Sequence, residues 1–357
     1  MKLIAYYLPQ FHEIPENNEW WGNGFTEWYN VKKAIPLYKN HFQPRIPLND
    51  NYYDLMNKDT MLWETKLLND YNIYGLCYYH YWFSGRKLLE KPAEKLLEYT
   101  DINQRFCFCW ANATWRKTWT KGNEILLLQE YGNKKEWEEH LNYLLPFFKD
   151  KRYIKVDNKP IFVVLNLNQI ENSKERFEYY NEYCKNNGFA GIELIQSFNI
   201  RKQETYDYVE SITLREPSIS HYSNNNIVRK IINRIKRNKK INFFKKPIIY
   251  KWEKISEKSL SYDKGAEFTK KTYLGAFKEW DSTSRHGKHG FVITKSTPEQ
   301  FENYLREIKR ITETRKNVQE YVFFTAWNEW CECCYLEPDT IDEYKYLEVI
   351  KKICSQD

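Results

Sequence analysis

The spacing of hydrophobic residues changes period repeatedly along this chain. LIAYYLP (3–9) is a short continuous apolar run, as expected of a strand covered on both faces. TMLWETKLLNDY (60–71) spaces its apolar positions at three and four residues, which predicts a helix. IYGLCYYHYW (73–82) returns to strand, 87–99 to helix, RFCFCWAN (105–112) to strand and KKEWEEHLNYLLPFFKD (134–150) to helix. PIFVVLN (160–166) predicts a buried strand, and ERFEYYNEYCKNNG (175–188) a helix whose Gly188 suits its C-terminus. GIELIQS (191–197) and DYVESITL (207–214) are two further strands. TPEQFENYLREIKRITE (297–313) starts a helix with a Thr cap and Pro in the first turn. YVFFTAWNEW (321–330) runs from strand into loop, and IDEYKYLEVIKKICS (341–355) closes as helix.

Strands that alternate with helices predict βαβ units and a parallel sheet. Seven strands stand out, and an eighth around YLGAFKEW (273–280) completes a (β/α)8 barrel of the TIM type. An open doubly wound sheet is the alternative. It normally needs a glycine-rich first turn, and PQFHEIPENNEWWGNG, after the first strand, has no GxGxxG. With no internal repeat and no Gly/Ser/Pro-rich linker, residues 1–357 are expected to form one domain, with an insertion at about 223–246.

Composition sharpens the picture in one respect. Aromatic residues make up 17% of the chain, with 13 Trp and 29 Tyr, more than core packing alone requires. Such side chains join a flat apolar face to a hydrogen-bonding edge, which suits the C–H faces and hydroxyls of sugar rings. The net charge of +7 is concentrated in RKIINRIKRNKKINFFKK (Arg229–Lys246), with nine basic residues and no acidic one; 7 − 9 leaves −2 for the remainder. A general nucleic-acid-binding role therefore lacks electrostatic support. Interleaved Ile and Phe make that run suited to peripheral contact with an anionic membrane surface. MKLIAYYLPQFH lacks the features of a signal peptide, and no stretch reaches the length of a membrane span. The expectation is a cytoplasmic protein, at most peripheral at the inner face of the membrane, with its eight cysteines reduced.

Chemistry in parallel barrels collects where strands end at their C-terminal side. Those positions here hold Gln10 and His12, Tyr79 and His80, Asn112, Asn166, Gln196, Glu216, Asp281, then Asn328 and Glu329. The densest cluster is AWNEWCECCYLEP (326–338), with Glu329 and Glu332 among Trp327, Asn328 and Trp330. Glycoside cleavage needs one carboxyl to protonate the leaving oxygen and a second group at the anomeric side. Asn328 is placed to orient a sugar hydroxyl, and Trp327 or Trp330 to form a stacking floor. A solvent-facing turn carrying both glutamates is the plain alternative. Cys331, Cys333 and Cys334 are too tightly spaced for structural zinc, and Cys107 and Cys109 alternate onto one strand face as small core residues. No metal or cofactor is expected. EWWGNGFTEW (19–28) adds Trp20, Trp21, Glu27 and Trp28 as a substrate wall, with a structural corner as its alternative.

Six stretches in order, YYLPQFHEIPENNEWWGNGFTEW, GLCYYHYWFSGRKLLEKP, FCFCWANATW, RYIKVDNKPIF, EWDSTSR and AWNEWCECCYLEP, resemble the WbsX-type family of bacterial surface-polysaccharide gene clusters, which is similar to glycoside hydrolase family 99. The resemblance runs from about Ile4 to Tyr346 and implies a (β/α)8 barrel acting on a glycan, either a surface polysaccharide or its lipid-linked precursor. For family 99 it implies endo-acting, retaining cleavage of α-mannosides through a 1,2-anhydro sugar. Carried over, Glu329 is the base on the sugar 2-hydroxyl and Glu332 the acid, then the base for water. Asp281 and Arg285 in WDSTSR match the family's WDNTxR as substrate-positioning residues, and Trp82 and Trp110 lie in its aromatic stretches. The family's NEWxEGxYLEP has glycine where this chain has Cys333, a change expected to alter the turn that aims Glu332. WbsX-type proteins are also labelled glycosyltransferases. Neither an Asp-x-Asp after a strand nor a diphosphate cradle supports that reading, and a non-catalytic glycan-binding barrel is the third alternative.

Overall fold

The computed structural model describes residues 1–117, 124–199, 203–223, 246–261 and 269–354, together with residue 235. Eight parallel strands close on themselves. They are β1 (Lys2–Tyr7), β2 (Ile73–Phe83), β3 (Phe106–Trp110), β4 (Lys159–Val164), β5 (Glu193–Phe198), β6 (Ser211–Leu214), β7 (Lys271–Phe277) and β8 (Val318–Thr325). Each pairs with its sequence neighbour, and β8 returns to β1 in the register Lys2↔Tyr321 through Ala5↔Phe324. This is the (β/α)8 barrel, and the strand expected around 273–280 is β7 at Lys271–Phe277.

Helices α1 (Lys58–Asp70), α2 (Lys91–Glu98), α3 (Lys134–Lys149), α4 (Ser173–Asn186), α5 (Trp252–Leu260), α6 (Pro298–Thr314) and α7 (Lys345–Ile353) surround it. The start of α6 follows from its first residues. The Thr297 hydroxyl accepts from the Gln300 N–H at 3.2 Å, and the Gln300 side chain accepts from the Thr297 N–H at 2.9 Å, a reciprocal cap. Three boundaries differ from the periodicity. Residues 86–88 pair back onto β2, and helix α2 begins only at Lys91 because Leu89 takes a positive φ. β6 is short because Val209 N–H closes a turn onto Tyr206 C=O. α7 starts late because Asp339 accepts from the N–H groups of Ile341 and Asp342, which holds residues 339–342 in a turn.

The barrel interior is aromatic and tight. Tyr6 stacks on Tyr79 at 5.6 Å and meets Phe323 at the same distance. Gly275 makes the close approach of β7 to β6 possible, since a Cβ there would lie 1.9 Å from the Leu214 carbonyl oxygen. All eight cysteines are buried as free thiols. The basic segment, residues 223–246, falls almost wholly outside the described residues. Beyond it, Ile248–Tyr250, Phe291–Ile293 and Trp280–Asp281 form a small separate sheet. The short helix Thr283–His286 follows Asp281 and carries Arg285.

Candidate active site

β8 delivers the acidic pair. At its end Trp327 N–H donates to Tyr6 C=O at 2.7 Å, tying the loop to β1. The Glu329 carbonyl accepts from the N–H groups of Glu332 (3.1 Å) and Cys334 (3.3 Å), so a tight turn carries both carboxyls. Cys333 sits in that turn at φ 48°, ψ 29°. This is the left-handed conformation that glycine adopts freely and other residues occupy at roughly 1–2 kcal/mol. Gln43 Nε2 donates to the buried Cys333 Sγ at 3.2 Å.

The two glutamates meet on one guanidinium. Arg285 Nη1 lies 3.2 Å from Glu332 Oε1, and its Nη2 lies 3.8 Å from Glu329 Oε2 and 3.0 Å from Glu27 Oε1. The Glu329 side chain is 8% exposed and Glu332 16%. Burial, then the neighbouring Glu332 charge, pushes Glu329 up to about 7, against the opposing pull of Arg285. Burial likewise raises Glu332, and Arg285 and Arg215 oppose it. Two coupled carboxyls of this kind share their last proton near neutrality. The solvent-facing alternative for this turn therefore does not hold.

A cleft of about 400 Å³ opens over the pair at the C-terminal end of the barrel. Of the residues anticipated from sequence, Gln10, Trp21, Glu27, Tyr79, Arg285, Glu329 and Glu332 line it. The others lie behind or below. Trp327, Trp330 and Trp28 are buried, their indole N–H groups donating to Glu64 (3.2 Å), Glu337 (2.5 Å) and Tyr53 C=O (2.8 Å). With both faces covered, none is a stacking floor. Asn328 does not face a sugar: its Oδ1 accepts from Leu8 N–H at 2.7 Å and its Nδ2 donates to Leu8 C=O at 3.1 Å, clamping the end of β1.

Strand alternation explains a second group. On β2, Tyr79 faces the cleft, while His80 and Trp82 turn toward α3 and engage His140 and Glu136. Trp110 is buried under the Arg176 guanidinium, and Asn112 braces the Asn166 backbone at 2.9 and 3.0 Å. Asp281 accepts from His41 (2.7 Å), Gln43 (3.0 Å) and Thr283 N–H (2.9 Å), so it supports the loop bearing Arg285 from beneath. His12 is buried outside the cleft lining, and burial pushes it down to about 4. Trp20 backs Trp115 edge-on at 5.7 Å.

A family model described as "Glycosyltransferase WbsX" matches residues 3–350. The chain belongs to the WbsX family. This WbsX-family chain is 27% and 28% identical over 354 residues to the WxcX proteins of two Xanthomonas campestris pv. campestris strains, covering 98% of itself and 49% of each relative. It thus spans about half the length of the curated relatives it matches. Among solved structures it resembles one titled a glycoside hydrolase-like protein, with TM-score 0.58, 15% identity and coverage of 99% and 94% of the two chains. It also resembles the GH99 endo-alpha-mannosidase from Bacteroides thetaiotaomicron, with TM-score 0.58, 11% identity and coverage of 98% and 95%. At these identities the likeness is one of fold: a glycoside hydrolase-like barrel.

The WbsX-family cleft also contains residues that the sequence analysis passed over: Tyr81, Trp115, Arg116 and Arg215. Tyr81 was accessible from pattern, since it lies two residues beyond Tyr79 on the same face of β2. Trp115 ends the aromatic stretch FCFCWANATW. Arg215 follows β6 directly, beside the Glu216 singled out at that strand end, and carried no distinguishing signal.

Proposed function

We propose that this barrel cleaves, or transfers across, an internal glycosidic bond of a bacterial surface polysaccharide, using Glu329 and Glu332. The observation that carries the reading is the pair of buried carboxyls on one guanidinium, at the floor of a cleft walled by Trp21, Tyr79, Tyr81 and Trp115. Following the resemblance to family 99, Glu332 gives its proton to the glycosidic oxygen as the C1–O bond breaks. Glu329 takes the proton of the 2-hydroxyl as O2 closes onto C1, leaving a 1,2-anhydro sugar. Glu332 then removes a proton from water attacking C1, and O2 recovers its proton from Glu329 with net retention. An acceptor hydroxyl in place of water gives transfer.

Proton placement imposes one requirement. Arg285 stands nearer Glu332 than Glu329, which favours the proton on Glu329. For Glu332 to act as acid, bound sugar must draw Arg285 toward Glu329. Support for a polysaccharide substrate comes from the WbsX-type resemblance, and a lipid-linked precursor belongs to the same proposal. So does a cytoplasmic location as one domain, with Arg229–Lys246 against anionic lipid at the inner face of the membrane. Flotation with anionic vesicles, and its loss when the nine basic residues are neutralised, tests that arm.

The family description favours a second reading, a glycosyltransferase. Incubation with the producing cell's surface polysaccharide in 18O-water separates the two. Labelled reducing ends formed by the wild type and absent with Glu332→Gln support hydrolysis. No label, together with transfer from a nucleotide-sugar donor, supports the transferase and sinks the hydrolytic assignment. Binding without cleavage or transfer leaves a glycan-binding barrel.

A further inference from the structure

Among the described residues, five arginines have guanidinium groups drawn into the fold, and four touch a carboxylate. Arg45 meets Glu279 at 2.7 Å, Arg152 meets Asp150 at 2.7 Å, Arg176 meets Glu136 at 3.2 Å, and Arg285 meets Glu27 at 3.0 Å. Arg215 is the exception. Its side chain donates to the Tyr79 hydroxyl at 2.9 Å, and its guanidinium lies 5.8 Å from the Tyr6 ring centroid and 5.9 Å from that of Tyr79. Among the described residues no carboxylate reaches it within the 4.0 Å of an ion pair, and Glu329 acts on it only through space. Yet Arg215 lines the cleft beside Glu329 and Glu332. A half-buried guanidinium that lines a cleft, with most of its five N–H donors unused and no carboxylate beside it, is set to take an anion from the cleft.

We propose that Arg215 holds an oxyanion of the substrate, so that the glycan bears a carboxylate or a phosphate on a sugar next to the cleaved bond. This rests on the reading of the cleft as a glycan site. The fork of donors fits both groups, as a uronic acid or acidic ketal presents two coplanar oxygens and a phosphodiester presents two of its own. Neutral sugar hydroxyls would complete the fork but leave its charge without a partner. An anion here has a chemical consequence as well. Arg215 opposes protonation of both glutamates, and a bound oxyanion offsets that opposition, keeping the shared proton in place for the leaving group.

The test uses the full chain with Glu332→Gln, so that substrate is not consumed, and oligosaccharides from the producing cell's surface polysaccharide. Their affinity is measured by calorimetry for native material, for material whose uronates are reduced to alcohols, and for material stripped of phosphodiesters. Native fragments are expected to bind about tenfold or more tighter than one of the two stripped forms, and which form weakens identifies the anion. Adding Arg215→Gln should make native and stripped forms bind alike, while Arg215→Lys should retain part of the preference. Should Arg215→Gln fail to fold, the preference of the Arg215-containing protein and the partial retention by lysine carry the test.

Equal affinity for all three materials overturns the proposal, as does a preference that survives Arg215→Gln. Efficient binding of a polysaccharide that has no anionic group overturns it as well, and so does failure to hold either native fragments or inorganic phosphate. If Arg215 were only a distant counter-ion for the glutamates, its removal would shift the pH profile equally for charged and uncharged substrates. Cleavage without charge preference would sink this inference alone; charge preference without cleavage or transfer would sink only the catalytic reading.

Discussion

Glu329→Gln should stabilise the protein, and by an amount that depends on pH. Burial and the Glu332 charge hold the Glu329 carboxyl at about 7 in the fold, against an ordinary 4.5. The folded state therefore retains a proton that the unfolded chain has released between those values. Stability from this group is fully present below the unfolded value and falls as pH rises through the folded one. The loss is the difference of 2.5, from 7 − 4.5, converted at 1.36 kcal/mol per pKa unit, or about 3 kcal/mol. An amide carries no charge at either pH, so the variant escapes the loss. Urea denaturation of both proteins should show a gap that widens by about 3 kcal/mol between roughly pH 4 and pH 8.5, in favour of the variant. Any fixed offset from altered packing drops out, because only the change with pH is read. Glu332 ionises beside a neutral neighbour in both proteins, so the gap reports the second ionisation of the pair. A gap that stays constant across the range would mean that Glu329 titrates like an exposed glutamate, and the account of the cleft floor would fail with it.

Arg285→Met removes the cation that opposes protonation of both glutamates; at 3.2–3.8 Å such a charge is worth roughly 4 kcal/mol at an effective dielectric of about 20. At 1.36 kcal/mol per unit the acid limb of the kcat/KM profile should rise by about three pH units, and an unmoved limb would detach Arg285 from the pair. Glu332→Gln should slow cleavage of native glycan by about 10²–10⁴-fold and recover on an aryl glycoside whose leaving group needs no proton, whereas Glu329→Gln should not recover. Glu329 is assigned to the 2-hydroxyl, so turnover of a 2-deoxy substrate would sink that role. Cys333→Gly should be more stable than Cys333→Ala by about 1 kcal/mol in thermal unfolding, because only glycine relieves the left-handed turn; equal stabilities would show the turn to be relaxed. Gly275→Ala should cost about 3 kcal/mol or prevent folding, since its Cβ would meet the Leu214 carbonyl at 1.9 Å. Expression of a protein with unchanged melting temperature would contradict the strand spacing described above.

The interior of the site shows how far residue type can be read. Trp327, Trp330, Trp21 and Trp115 are indistinguishable as letters, and each joins an apolar ring to one N–H donor. The first two donate to Glu64 and Glu337 inside the core, while the other two line the cleft. The same amphipathic ring serves a wet wall and a core that contains buried acids. Glu64 is one of those acids, pushed up to about 8 by burial. Nothing in the local sequence around Glu64 sets it apart, because its partners Tyr7 and Trp327 come from β1 and the end of β8.

By itself the sequence determined the alternation of strands and helices, strand β7, the cap of α6 and the turn bearing Glu329 and Glu332. Each depends on periods or contacts within a few residues, and such local physics is written into neighbouring positions. Only the tertiary structure decided which face of β2 meets the cleft and which aromatic rings are covered. It also decided that Asn328 clamps Leu8, and that Arg285 from the β7–β8 connection gathers Glu27, Glu329 and Glu332. Arg215 after β6 meets Tyr79 of β2 across the barrel mouth. These contacts join residues from 44 to 320 positions apart, and closure of the sheet brings them together, so no spacing along the chain could announce them.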